Sequence, residues 1–286
     1  MRKKAEGMLL MAAIIWGGGF VAGKLALDSL TPFAVLSWRF TIAAVLCGII
    51  FHRRLMKTPR QTMLYGLIIG GVQMLSLGLQ LTGLQYTTSA KQSFLCTVYV
   101  ALMPFLSFLL LRKSLTLRSI LAGFISLTGI GLICLSGSMT LNKGDVMSLG
   151  FSLLFGIQVI LTGRFVSKDT DSVQLSFFQF VTSALIALTI SLIRGEELFR
   201  ISATSAIGIT YHGVLNTTVA FLLQNTALKH VPSNTASLII SLESVFGFVF
   251  SVLYFHEAIT VRLLLGSALC FAAILLANTE KQKAAE

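Results

Sequence analysis

Charged side chains are scarce in this sequence. Only 12% of its 286 residues are Asp, Glu, Lys or Arg, while 55% are hydrophobic and the mean hydropathy is +0.85. Soluble domains carry roughly 25% charged residues. The apolar residues also come in runs of about 20, the length that a helix needs to cross a lipid bilayer. The composition therefore excludes a soluble globular fold and indicates a protein whose partner is the bilayer.

Motifs typical of enzymes and metalloproteins are also missing. The sequence has no P-loop, no HExxH motif, no paired aspartates in its apolar runs and no convincing Ser/His dyad. The cysteines all lie inside apolar runs without metal-ligand spacing, which favours buried free thiols; they are Cys47, Cys96, Cys134 and Cys270. We therefore predict no catalytic residue, metal or cofactor, and ATP is excluded as the direct driver.

The net charge of +11 does not indicate nucleic-acid binding, because the basic residues lie in short loops between apolar runs. If the N-terminus is cytoplasmic, 15 Lys and Arg fall on that side and 5 on the other, with Arg39 and Lys91 inside spans. By the positive-inside rule, this bias places both termini in the cytoplasm of a multi-pass protein of the plasma membrane, the inner membrane of a bacterium.

Ten apolar runs are spaced along the chain. In lipid, backbone polar groups must be satisfied within the segment, so each run is predicted to be a helix. The first run follows a short basic start, and we interpret it as a retained span rather than a signal peptide. The runs cover residues 6–27, 32–51, 62–82, 89–111, 117–136, 145–166, 173–193, 203–226, 233–255 and 260–279.

The second half of the sequence repeats the first. A shift of 144 residues aligns Gln80 with Gln224 and Ser89 with Ser233, and a shift of 139 or 140 applies nearer the start of each half. The predicted units are a five-helix repeat over 1–137, a linker over 138–144, a second five-helix repeat over 145–279 and a cytoplasmic tail over 280–286. Because five is odd, the second repeat enters the membrane from the opposite side. The predicted fold is an all-α membrane protein of about ten transmembrane helices in two inverted five-helix repeats, an arrangement typical of alternating-access transporters.

Several motifs resemble those of the EamA-type transporters of the drug/metabolite transporter superfamily. They are Trp16-Gly17-Gly18-Gly19-Phe20-Val21, Arg39-Phe40, Thr88-Ser89-Ala90, Tyr99 to Phe105, Leu242-Glu243-Ser244 and His256-Glu257. The chain departs from the family at Ser244, where Pro is common, and at Arg112-Lys113 and His256-Glu257, where Gly-Glu is common. The resemblance implies ten helices, cytoplasmic termini and a central cavity.

Polar residues within the predicted spans are the candidate site residues, because such groups usually face a cavity or a partner. Glu243 is the only acid deep in a span, about 15 Å beyond Ser233. It is a candidate proton-coupling group or counter-ion to an amine, with a structural hydrogen bond as the alternative. His212 could relay a proton or only pack, and Asn216 lies on the same helical face.

Arg39 could bind a substrate carboxylate or phosphate, pair with Glu243 or cap helix carbonyls. The remaining candidates are Tyr99, which the repeat matches to Glu243, Gln158, Gln92 and Trp16. Lys24 and Lys91 lie near helix ends and are predicted as interfacial anchors.

The predicted function is secondary active transport of a small-molecule substrate. The leading version is efflux of amino acids, amines or related solutes, with protons as the candidate coupling ion. Uptake of a nutrient or vitamin is the alternative. A remote alternative is a lipid-modifying enzyme with His212 and Glu243 as acid and base. The sequence predicts no oligomeric state.

Overall fold

The computed structural model describes residues 2–112, 116–134, 142–166 and 170–278, and within these ranges the regular structure is entirely helical. Part of the predicted linker (138–141) and the predicted tail (280–286) lie outside the described residues. The helices are α1 Arg2–Ala26, α2 Pro32–Leu55, α3 Arg60–Leu84, α4 Ser89–Thr97, α5 Tyr99–Leu111, α6 Leu117–Cys134, α7 Lys143–Phe165, α8 Ser172–Ile193, α9 Ala203–Tyr211, α10 Ala220–Ala227, α11 Ser233–Ile240, α12 Glu243–Phe255 and α13 Val261–Asn278, with a π-helical segment at His212–Val219.

These helices confirm the predicted membrane fold class. Within the described residues, eight helices are long and apolar enough to cross a membrane, counting α4 with α5, α9 with α10, and α11 with α12 as single spans. Two shorter apolar stretches, within α6 and α13, stand at the fifth and tenth predicted runs.

Local sequence signals begin several helices. Pro32 occupies the first turn of α2, where its missing N–H costs nothing. Asn142 accepts a hydrogen bond from the backbone N–H of Asp145 at 2.8 Å, and the Asp145 carboxylate accepts one from the Asn142 N–H at 3.2 Å. This reciprocal cap starts α7. The Ser202 hydroxyl caps α9 by accepting from the N–H of Ser205 at 3.1 Å.

The core forms between the two halves of the chain. Helix α2 packs along α8, α3 along α7 and α8, α6 along α13, and α1 along α9, α10 and α12. Helices α3 and α7 approach closely at Gly83 and Gly144, since a Cβ on Gly144 would lie 2.6 Å from the Gly83 carbonyl oxygen. Most helix contacts therefore join the predicted first repeat to the second.

Two irregularities recur 144 residues apart. The fourth span breaks between α4 and α5 at Val98, and the ninth breaks between α11 and α12 at Ser241–Leu242. The α5 and α12 helices end on Arg112 and His256, which have φ of 53° and 51°. Both matches are those expected of two repeats. The π segment has no counterpart in α3, which is continuous.

We call the end of the bundle that holds Arg2 the N-terminal side and the end that holds Ala26 the opposite side.

Candidate functional site

A central cavity lies where the two halves of the chain meet. Its volume is about 30 Å³. It extends from Leu84 and Gln92, near helix ends on the opposite side, to Glu243 in the middle of the bundle. Its lining residues are Trp16, Gly19, Phe20, Arg39, Leu77, Gln80, Leu81, Leu84, Gln92, Phe151, Phe155, His212, Asn216, Phe221 and Glu243.

Six of the eight residues predicted for the site line this cavity. They are Trp16, Arg39, Gln92, His212, Asn216 and Glu243. Tyr99 and Gln158 do not. Tyr99 is fully buried with its ring against Phe155, centroids 5.0 Å apart, and Gln158 is buried farther toward the N-terminal side. The repeat suggested both positions by equivalence with Glu243 and Gly19, but the cavity lies mainly toward the opposite side and so receives only one member of each pair.

Arg39 is held by two side chains of the π segment. Its Nε donates to Thr217 Oγ1 at 2.6 Å and its Nη2 donates to Asn216 Oδ1 at 2.8 Å. The residue is only 3% exposed, and the ion pairs of the described residues do not include it. It therefore neither pairs with Glu243 nor caps a helix carbonyl, two of the alternatives that the sequence left open. A buried cation held only by neutral oxygens attracts an anionic ligand, because its charge is not compensated.

The π segment also fixes the position of Trp16. The Trp16 indole Nε1 donates to the backbone carbonyl of Asn216 at 2.8 Å, and the Asn216 amide donates to the Ile15 carbonyl at 3.3 Å. Helix α1 can come this close because Gly19 has no side chain; a Cβ there would collide with the Asn216 amide. A π-helical turn within an α-helix is frequently found at a functional site. One irregular turn thus orients both a cation and an aromatic ring toward the cavity.

Two titratable side chains of the cavity wall, His212 and Glu243, lie near the middle of their spans. His212 is 4% exposed, and neither ring nitrogen has a hydrogen-bond partner among the described residues. Glu243 begins α12 directly after the break in the ninth span. The N-terminal end of a helix favours a negative charge, and broken helices commonly form transporter sites. A ligand could therefore meet both acidic and basic groups here.

Of the aromatic wall of the cavity, the sequence predicted Trp16 but not Phe155 or Phe221. Trp16 packs edge-on against Phe221 and Phe155, with ring centroids 5.1 Å and 5.9 Å apart. Phenylalanine is common throughout the apolar runs, so no sequence signal separates Phe221 from a lipid-facing ring. The shift of 139 that matches Trp16 to Phe155 could have indicated Phe155. Gln80 was missed as well, although its match to Gln224 in the repeat could have indicated it.

Lys24 and Lys91 bind protein groups rather than acting as interfacial anchors. Lys91 Nζ lies 2.8 Å from the Asp145 carboxylate, and Lys24 Nζ donates to the carbonyls of Leu84 and Thr87 at 3.1 Å each. The prediction was wrong because these partners lie elsewhere in the fold, and the sequence alone does not bring them together. Asp145 is on α7, Leu84 ends α3 and Thr87 lies in the loop after α3. Within the described residues, no group of three or more His, Cys, Asp and Glu is placed to hold a metal ion.

Fold and cavity together define a polytopic helical membrane protein with a polar site at its centre. The chain belongs to the EamA-like transporter family, whose profile matches residues 3–135 and again 142–279. It is thus a membrane transporter, and this membership points to transport rather than to an enzyme.

Relatives cover nearly the whole chain. An uncharacterized transporter of Archaeoglobus fulgidus is 29% identical over 97% of this chain and 86% of its own length. The uncharacterized transporter YyaM of Bacillus subtilis is 22% identical over 95% and 92%. A protein of known crystal structure has the same fold, with a TM-score of 0.73 over 97% of this chain and 98% of the other at 14% identity.

Proposed function

We propose that this protein is a secondary active transporter that exports amino acids, amines or related small solutes by alternating access. The observation that carries the proposal is the presence of a basic and an acidic side chain in one cavity. Arg39 and Glu243 both line it, yet they form no ion pair with each other. A solute with a carboxylate and an ammonium group would pair with Arg39 and with the ionised form of Glu243, since each charge is costly when buried alone.

The cavity wall suits such a solute beyond its charges. Trp16, Phe155 and Phe221 give an aromatic surface for an apolar side group or a cation–π contact with an ammonium group. Asn216, Gln80 and Gln92 supply amide groups around it. Ligand sites are commonly apolar pockets with a few convergent polar groups.

The proposed topology follows from charge and repeat. The N-terminal side faces the cytoplasm, because 15 of the loop and terminal Lys and Arg fall there and 5 on the other side. Residues 1–137 and 145–279 form two inverted repeats that rock against each other in the cytoplasmic membrane of a bacterium. The cavity then reaches toward the outside.

Glu243 is the proposed proton-coupling group. A carboxyl in mid-membrane can carry a proton through one half of the cycle and release it in the other, and the start of α12 places it where both solute and proton could reach. Coupling by this group predicts that Glu243→Gln loses accumulation driven by a proton gradient and exchanges the solute more weakly, because the counter-charge to the ammonium group is also lost.

Solute exchange in proteoliposomes tests the proposal. Purified protein is screened with radiolabelled amino acids, amines, nucleosides and vitamins, with and without a proton gradient. We expect saturable exchange of at least one amino acid or amine, reduced at least tenfold by Arg39→Lys because Lys cannot reproduce the two-pronged geometry of Arg. Arg200→Lys, at an exposed position, is the matched control.

Two results would contradict the proposal: exchange of no amino acid or amine, or gradient-driven transport unchanged in Glu243→Gln. Direction is read from a deletion strain. Sensitivity to the solute indicates export, whereas lost growth on it indicates uptake of a nutrient or vitamin.

A further inference from the structure

A second set of buried polar side chains lies on the N-terminal side of the cavity. It consists of five amides, which we call the amide cluster: Gln73, Gln158, Gln179, Gln224 and Asn225. Each is 0% exposed. Gln224 stands about 5 Å from the end of α10, and Gln179 stands about 10 Å from the start of α8, both ends being on the N-terminal side. The cluster is therefore separate from the cavity wall.

The amide cluster is poorly satisfied. Among the described residues, neither amide atom of Gln73 or of Gln224 has a hydrogen-bond partner, nor do Gln158 Oε1, Gln179 Nε2 and Asn225 Oδ1. Few side-chain hydrogen bonds form: Asn225 Nδ2 donates to Ser176 Oγ at 2.8 Å and to Gln179 Oε1 at 3.0 Å, and Gln158 Nε2 donates to Thr162 Oγ1 at 3.5 Å. Buried polar atoms are normally paired, most of all in a membrane, so this concentration requires an explanation.

Helix packing brings the cluster together. Helix α8 crosses α3 where a Cβ on Gly70 would touch Gln179, one turn from Gln73. Helices α3 and α7 run antiparallel with Gly150 against Leu79, and the same register places Gln158 level with Gln73. The Asn225–Gln179 hydrogen bond joins α10 to α8.

The repeat relates this cluster to the cavity. The 144-residue shift carries Gln80 to Gln224, and Leu81 to Asn225. It also relates Thr217, which holds Arg39, to Gln73. The shifts of 140 and 139 nearer the start of each half carry Arg39 to Gln179 and Gly19 to Gln158. Each member of the cluster thus corresponds to a cavity-lining residue or to a direct partner of one.

We propose that the amide cluster is a second solute-binding vestibule, which is closed in this structure and opens on the N-terminal side when the cavity closes on the opposite side. The inference rests on the proposed alternating-access function. In inverted repeats, the pathway on one side is built from the counterparts of the pathway on the other. The unpartnered amides then gain hydrogen bonds from water and from the polar groups of the solute. Because amides donate and accept without net charge, this vestibule holds a zwitterionic or ammonium-bearing solute loosely between the cytoplasm and the charged cavity.

Thiol labelling tests the vestibule without knowledge of the solute. In a chain whose four cysteines are replaced by alanine, single cysteines are introduced as Gln224→Cys and Gln80→Cys. Leu222→Cys is the matched control, since it lies two residues from Gln224 and so about 200° around the same helix. Each variant is exposed to a membrane-impermeant cationic methanethiosulfonate in inside-out and in right-side-out vesicles.

We expect Gln224→Cys to react at least tenfold faster than Leu222→Cys in inside-out vesicles only, and Gln80→Cys to react in right-side-out vesicles only. Equal slow reaction of Gln224→Cys and Leu222→Cys would overturn the vestibule. If a cysteine variant fails to fold, Gln224→Leu is measured instead. If Gln224 lines a vestibule, Gln224→Leu should fold and lose at least tenfold in transport. If Gln224 is only a buried amide, the variant should keep its transport and have a higher melting temperature.

The two proposals fail separately. Solute exchange without accessibility at Gln224 would remove the vestibule and leave the transport function in place. Two-sided labelling in a protein that exchanges none of the tested solutes would support the vestibule and contradict the proposed solute class.

Discussion

Lys91 and Asp145 join the fourth span to the sixth through an ion pair in which both side chains are largely removed from solvent. The distance is 2.8 Å, and the side chains are 15% and 1% exposed. Asp145 also forms half of the cap that starts α7, through its contact with Asn142. One carboxylate thus stabilises both a helix start and a contact between helices of different halves.

Removing Asp145 therefore has a large predicted cost. Asp145→Ala leaves the Lys91 ammonium without its partner, and we expect the free energy of unfolding to fall by about 3 kcal/mol. The double variant Lys91→Met/Asp145→Ala should recover part of that loss, because no unpaired charge remains. Denaturant unfolding in detergent micelles measures both effects.

The Arg2–Glu6 pair is the control for this prediction. Its side chains are 62% and 34% exposed, so Glu6→Ala should change stability by less than about 0.5 kcal/mol. Strictly additive effects of Lys91→Met and Asp145→Ala would show that the two residues are not coupled, contrary to what we expect.

At the residue scale, the sequence predicted most of the polar side chains that line the cavity. It did not predict the residues that those side chains contact. Glu243, His212 and Arg39 were recognisable because polar groups are rare in apolar runs. The partners of Arg39 were not recognisable, since Asn216 and Thr217 are about 180 residues away in the chain. Contact between distant residues depends on helix packing, which a run of hydrophobic residues does not specify.

At the element scale, the π segment is the feature with most consequence for the site. The sequence predicts one regular helical span over 203–226. In the structure, eight residues of this span, His212–Val219, form a π-helix. The Thr218 hydroxyl donates to the Gly213 carbonyl, five residues earlier, at 2.7 Å. Gly213 itself lies against Ile42 of α2, where a Cβ would collide. Tertiary contacts therefore support this π-helical turn. The local hydrophobic pattern does not reveal such contacts, so the sequence could not predict the turn.

Deleting one residue from the π segment should restore an α-helix. We expect deletion of Val214 to preserve folding, because an α-helical turn needs fewer residues than a π-helical turn and both flanking helices can keep their register. The bulge that brings the Asn216 carbonyl to Trp16 would be lost. The indole would then fluoresce at a changed wavelength, and solute exchange would fall at least tenfold.

Deletion of Ile207, in the α-helical part of the same span, is the comparison. It shifts the register of α9 rather than removing a bulge, so it should lower the melting temperature more than deletion of Val214. A Val214 deletion with unchanged fluorescence and full exchange would show that the π turn does not position the site.

At the scale of the whole molecule, the membrane itself made most of the fold predictable. The third predicted run, 62–82, became α3 Arg60–Leu84, and the seventh, 173–193, became α8 Ser172–Ile193. Bilayer thickness sets the length of a span, and hydrocarbon requires a helix. The breaks at Val98 and at Ser241–Leu242 were not predicted, because neither is marked by proline or glycine.

Hydrogen bonds between the two halves join the loop after α1 to the start of α9 on the opposite side of the bundle. Ser29, in the loop after α1, shares a hydrogen bond with Ser205 of α9, with the two hydroxyl oxygens 2.9 Å apart. The Ser29 hydroxyl also accepts from the backbone N–H of Ser202 at 3.0 Å. If the halves rock against each other, these contacts must part whenever the cavity opens more widely on this side.

A disulfide between positions 29 and 205 should therefore block the transport cycle. The short distance between the hydroxyls places two thiols within reach of a bond. In the cysteine-free chain, we expect oxidised Ser29→Cys/Ser205→Cys to lose at least tenfold in solute exchange and to regain it in dithiothreitol, with each single variant unaffected by oxidant. The locked protein should also label faster at Gln224→Cys in inside-out vesicles, because holding one side shut favours opening of the other. Full exchange by completely cross-linked protein would show that these halves do not separate here, and any rocking motion would then have to hinge at this contact instead.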